Sequence, residues 1–172
     1  TGLEWVVLDD NNISDITPLA NLTNLTKLGL SDNQIRDISP LSGLTNLVML
    51  HLANNQIDDI TPLSNLVGLG AYEWEMMPPF SLHLDLGGNQ IADITPLSNL
   101  TALKRLSPSD NQISDISPLA NLADLPTVYL WGNPLSSDSI NIYVPELRAR
   151  GAYVSLTSQN QQPIEVTSVS GP

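Results

Sequence analysis

Apolar residues along this chain follow neither a simple helical nor a simple strand period. They obey a longer spelling, Leu-x-x-Leu-x-Leu-x-x-Asn-x-Ile-x-x-Ile-x-x-Leu, that restarts at a fixed interval. One copy runs through Leu25, Leu28, Leu30, Asn33, Ile35, Ile38 and Leu41. The marker asparagines are Asn11, Asn33, Asn55, Asn89, Asn111 and Asn133. Every step between them is 22 residues except Asn55 to Asn89, which is 34, one period plus 12. A period in this range specifies a solenoid, in which each unit buries its apolar face only on its neighbours.

Each repeat predicts three parts. A short strand comes first, with Leu28 and Leu30 inward and Lys27, Gly29 and Ser31 outward by two-residue alternation. The chain then turns at the asparagine, whose amide can satisfy backbone groups left unpaired by the turn. A helical turn follows. Thr17, Ser39, Thr61, Thr95 and Ser117 each precede a proline, which reads as an N-cap with Pro at the first helical position. Asn21, Gly43, Asn65, Asn99 and Asn121 stand three residues after those prolines and suit a left-handed helix end. So short a segment is a single 3₁₀ turn. Asp15, Asp37, Asp59, Asp93 and Asp115 form a second column. Their carboxylates either bond the N–H groups of the helical turn or stack around calcium.

Two departures interrupt the pattern. About twelve residues, 70–81, are inserted between Leu69 and the strand at Leu84, and they hold Tyr72, Trp74 and Phe80, three of the eight aromatics. Pro108 takes an inward leucine position in the fifth strand, where its missing N–H should cost one ladder bond. After Asn133 the period is lost. Ser137 or Asp138 is placed to cap a short helix, Pro145–Gly151 reads as another, and Ala152–Leu156 suits a last strand. The expected organisation is six repeats over 1–135, a C-terminal cap over 136–156, and a linker or tail over 157–172. The chain starts inside a repeat, since Leu3, Val6 and Leu8 match Leu25, Leu28 and Leu30. That predicts a first coil in need of a cap or a preceding domain, and an edge able to self-associate.

The spelling resembles the leucine-rich repeat. The 22-residue form with Asp-Ile-(Ser/Thr)-Pro-Leu is similar to the internalin type, over about residues 1–156. Asn-Pro-Leu followed by Ile-Tyr-Val-Pro-Glu-Leu resembles the closing segment of bacterial leucine-rich-repeat domains. The resemblance implies an α/β solenoid: a right-handed curved solenoid with one parallel, concave β-sheet and short 3₁₀ turns on its convex side. It also implies a non-enzymatic module binding a protein or glycan, within a larger bacterial cell-surface or secreted protein. The alternative is a structural subunit of a surface coat or filament.

Composition narrows the partners. The formal net charge is −12, with 13 Asp and 5 Glu against 6 Lys and Arg. Nucleic acid and anionic membranes both need clustered cations and are disfavoured. No apolar run reaches membrane-spanning length. There is no cysteine, and no phosphate loop, Gly-x-Ser-x-Gly or His-Glu-x-x-His motif, so neither a catalytic group nor a cofactor is expected. Asn12, Asn21, Asn24 and Asn99 open Asn-x-Ser/Thr triplets that fall out of the repeat's own spelling.

The strand-face positions vary while the scaffold positions repeat. Candidate ligand-binding residues are Trp5, Lys27, Met49, His51, His83, Asp85, Arg105, Tyr129 and Trp131, joined by Tyr72, Trp74 and Phe80 of the insertion. Aromatics on an outward face favour recognition. Trp5 and Trp131 could equally cover the solenoid ends. Register predicts His51 and Asp85 as direct neighbours, with His83 on the same outward face; two histidines and a carboxylate also suit zinc.

Overall fold

The computed structural model describes residues 2–71 and 82–157. Seven strands form one open parallel sheet in chain order: β1 (Trp5–Val7), β2 (Lys27–Gly29), β3 (Met49–His51), β4 (Leu84–Asp85), β5 (Arg105–Ser107), β6 (Thr127–Tyr129) and β7 (Tyr153–Ser155). The inward leucines stack in register, Leu28 beside Leu50, Leu50 beside Leu84 and Leu84 beside Leu106. Behind them, isoleucines such as Ile38 and Ile60 and leucines such as Leu41 and Leu63 complete a continuous aliphatic core. Each fully buried leucine contributes roughly 1.5–3 kcal/mol. The sheet lines the concave side of a curved solenoid, and 3₁₀ turns line the convex side. In the first coil Val6, Leu8, Ile13, Leu19 and Leu22 are only partly buried, whereas their counterparts in the second coil are fully enclosed.

The asparagines bind neighbouring coils together. The Asn55 amide donates to the carbonyls of Leu52 and Ala53 in its own coil and to Leu30 in the coil before. Its side-chain oxygen accepts the N–H of Ile35, again from the preceding coil, at 2.9 Å. Asn33, Asn89, Asn111 and Asn133 repeat this pattern. Asn11 is exposed and donates only to Leu8 and Asp9 of its own coil.

The convex turns correct two expectations. The 3₁₀ turns span Thr17–Leu19, Ser39–Leu41, Thr61–Leu63, Thr95–Asn99 and Ser117–Asn121, so the hydroxyl residue is already inside the turn and an isoleucine precedes it. The cap is the aspartate one residue further back. Asp15, Asp37, Asp59, Asp93 and Asp115 each accept the N–H two residues on, all at 2.8 Å. Asn21, Gly43, Asn65, Asn99 and Asn121 are not left-handed. After each of the first four turns the chain makes a further bend, as when Leu22 and Leu25 donate to Leu19 and Leu22. The left-handed residues instead directly precede the ladder asparagines: Asp10, Asp32, Asn54, Gly88, Asp110 and Gly132. Here the chain must swing sharply out of the strand, and Asp, Asn and Gly tolerate that backbone best.

Pro108 shortens the pairing between β5 and β6. Elsewhere the residue in its position donates across the ladder, Leu30 to His51 and Leu52 to Asp85. The β5–β6 register stops at Leu106 with Val128, although β6 and β7 pair over three residues. Bonding resumes at once, from Asp110 N–H to Trp131 O at 2.9 Å. The Pro108 carbonyl still accepts from Asn111 and Asn133.

The two expected terminal helices are one. Residues 137–149 are continuously helical, with a π turn over Ser139–Tyr143 running into α1 (Val144–Ala149). Pro145 lacks an N–H and clashes with a normal preceding turn, and the wider π turn accommodates it. Neither Ser137 nor Asp138 caps this helix; Ser136 does, its hydroxyl accepting the Ser139 N–H at 3.1 Å. No described helix is long and apolar enough to cross a membrane.

Candidate functional site

Parallel register gathers the outward residues into columns across the strand face. Trp5, Lys27 and Met49 form one run of the first column, and Arg105, Thr127 and Tyr153 another. Val7, Gly29, His51, Asp85 and Ser107 form the second. His51 and Asp85 are therefore register neighbours. Tyr129 follows as the outward end of β6 and pairs with Ser155.

The N-terminal end of this face is a cation on an aromatic ring: Lys27 Nζ lies 5.3 Å from the centroid of the Trp5 ring. The other end is aromatic. Tyr129 and Tyr153 meet edge to face, with centroids 6.1 Å apart, and Trp131 lies half-buried two residues beyond Tyr129. Tyr153 had not been singled out in the sequence. Its signal was the alternation of the last strand, which places it beside Thr127.

Between these ends the floor is low and polar. Gly29, Ala53, Gly87, Ser107 and Ser109 supply small side chains or none. A Cβ on Gly29 would meet Asp9 Oδ2 at 2.7 Å, so the Asp9 carboxylate lies across that glycine, where it accepts the Ser31 N–H at 2.7 Å. Asp85 accepts the Gly87 N–H at 3.1 Å, and the Ser107 and Ser109 hydroxyls lie 3.1 Å apart. Burial pushes the Asp85 carboxyl above its ordinary value, against the opposing pull of the Gly87 N–H, His51 and the Ser107 hydroxyl. His51 Nε2 donates to the Leu82 carbonyl at 3.0 Å, which in the neutral ring leaves Nδ1 as the acceptor. The serines and Gly87 belong to the variable columns, but small residues give no signal of their own in a sequence.

His83 departs from expectation. Its backbone takes the outward place in the ladder, donating to Arg105 O and accepting from Leu50, yet its side chain is 2% exposed. Alternation fixes which way a residue faces, not what lies above it. The two histidines and Asp85 are not brought together as a set of metal ligands. Among the described residues no group of three His, Cys, Asp or Glu side chains is placed to hold an ion. Tyr72, Trp74 and Phe80 lie outside the described residues. The inserted segment departs at Gly70, whose left-handed backbone (φ 85°) packs where a Cβ would strike the Ala102 carbonyl at 2.5 Å.

The family model for leucine-rich repeats (2 copies) matches residues 1–41 and 23–65. The crystal structure of an internalin (inlF) from Listeria monocytogenes is 36% identical with a TM-score of 0.74, over 89% of this chain and 40% of that one. That of an internalin C2 (inlC2) from the same organism is 39% identical with a TM-score of 0.66, over 90% of this chain and 71% of that one. The chain thus spans less than half the length of the first of these relatives. No curated protein sequence matches it.

Proposed function

Because this chain belongs to the leucine-rich-repeat proteins of the internalin type, we propose that it is a non-enzymatic recognition module, part of a bacterial cell-surface or secreted protein, that binds a protein partner through the concave strand face. One observation carries the reading. The positions that repeat are consumed by core and backbone bonding, and the positions that vary converge on one face with aromatic ends and a polar floor. Fold alone does not define a function, but this distribution of side chains is what recognition requires. The inserted segment leaves and rejoins beside this face, at Gly70 and Leu82, so its Tyr72, Trp74 and Phe80 are proposed to add contacts. A glycan ligand would draw on the same aromatic end.

The test is an array of extracellular proteins and glycans probed with the purified chain. Joint replacement of Tyr129 and Trp131 by alanine should weaken the best binder at least tenfold. Arg36→Ala, which breaks an exposed ion pair with Asp58 off the strand face, should not. Equal effects would overturn the reading. Self-association through the first coil is a second reading, supported by the exposure of Leu3, Trp5 and Val7 at 54–66%. Light scattering over a concentration series distinguishes it: a monomer at every concentration excludes it.

A further inference from the structure

The centre of the strand face is a trough. Gly29, Ala53, Gly87, Ser107 and Ser109 floor it, and Tyr129, edge to face with Tyr153, and Trp131 stand at its C-terminal end. Asp85 stands in the middle, half-buried, with its carboxylate fixed by the Gly87 N–H. Asp9 adds a second carboxylate towards the other end. Among the described residues neither joins an ion pair; the salt bridges there are Arg36 with Asp58 and Lys104 with Asp124. Burying a carboxylate is costly, and burial raises the Asp85 carboxyl above its usual range despite His51 on the adjacent strand. A fold seeking only stability would place an asparagine there, since its amide oxygen could accept the same N–H.

We propose that the trough receives an arginine side chain of a protein partner. The guanidinium meets Asp85, and the stem lies over Ser107 and Ser109 towards Tyr129 and Trp131. The inference rests on the strand face being the binding face. Spacing supports it. Asp85 and Tyr129 lie two strands apart, about 10 Å, a gap that an extended arginine bridges once its contact distances to the carboxylate and the ring are added. Chemistry chooses arginine over lysine. A planar guanidinium matches a carboxylate with two bonds and also packs on aromatic rings, whereas an ammonium is a compact, strongly hydrated point charge. Charge agrees as well, since a chain of net charge −12 attracts basic partners before contact.

The experiment is an amide NMR titration of the full chain at pH 7 with a blocked glycine-arginine-glycine peptide, against the same peptide carrying glutamine or lysine. Saturable shifts are expected at Gly87, Ser107 and Ser109, strongest for arginine. Asp85→Asn should weaken binding at least tenfold and leave the melting temperature equal or higher; Asp59→Asn on the convex side should leave binding unchanged. Trp131→Ala should weaken it severalfold and serves as the second variant should Asp85→Asn not fold. Equal binding of the glutamine peptide, shifts confined to the convex aspartates, or undiminished binding by Asp85→Asn would each overturn the proposal. If the arginine peptide fails while the arrayed partner still depends on Tyr129 and Trp131, the arginine inference falls and the binding-face reading stands. If that dependence is also absent, both fall.

Discussion

Asn55 illustrates how one side chain serves as internal backbone. Three of its bonds are donated and one accepted, and two of the four reach the preceding coil. Replacing it by leucine strands those buried groups and should cost about 1–3 kcal/mol. Asn11→Leu, in an exposed turn where the amide donates only to Leu8 and Asp9, should cost clearly less; chemical denaturation of the two variants checks the order. The convex aspartates give a pH dependence. Hydrogen bonds from the hydroxyl and N–H of Thr17, Thr61 and Thr95 hold Asp15, Asp59 and Asp93 below their ordinary values, and those of Ser39, N–H first, do so for Asp37. A depressed carboxylate stabilises the fold above its unfolded value of 3.8 and loses that contribution as pH falls through its lower folded value. Melts should therefore drop steeply below about pH 4, and Asp59→Asn should shallow the drop; an unchanged slope would contradict the capping role. At this scale the sequence disclosed the asparagine ladder, because a polar residue repeated among leucines needs a buried partner. It misassigned the left-handed residues. Asp10, Asp32 and Asn54 and the candidates Asn21, Asn65, Asn99 and Asn121 all tolerate that conformation, and only the chain path tells them apart.

Among the elements, the strands and 3₁₀ turns were legible because the repeat states each of them several times. Elements that occur once were harder to read. The terminal helix appeared as two because Pro145 is a stop signal, and nothing local announces the π turn that admits it. Pro108 was legible as a defect, and its consequence is confined to a single bond between β5 and β6. Pro108→Leu should restore an N–H facing β6 and add buried apolar atoms. The restored bond, about 1 kcal/mol, is partly offset by the greater freedom of the unfolded chain, about 0.4–1 kcal/mol. Hydrogen exchange should find the new amide as protected as that of Leu86; rapid exchange there would show that the strand is interrupted for another reason. The insertion is likewise a departure from a stated pattern. Gly70 N–H bonds to Val48 O at 3.0 Å, so a chain cut from Leu69 to Leu82 brings the next residue to the same acceptor. Deleting residues 70–81 should leave a cooperative unfolding transition; a molten product would show the segment to be structural.

The whole molecule divides its labour between repetition and variation. Repeated residues form a core in which each coil depends on its neighbours, and varied residues share a face that the core leaves free. The sequence showed this division and the columns themselves. It did not show that His83 is buried, that Ser107 and Ser109 floor a trough, or that Tyr153 extends the aromatic end, because those depend on curvature and on contacts between coils. On this division the variable strand-face positions carry recognition and little stability. The most direct measurement is a substitution scan of residues 2–157 displayed on cells, scored at once for folding and for binding of the partner drawn from the array. Substitutions at Met49, His51, Asp85, Ser107, Tyr129 and Trp131 should lose binding while display is kept, and those at Leu50, Asn55 and Leu106 should lose both. Binding-only losses clustered on the convex turns around Asp37, Asp59 and Asp93 would contradict it.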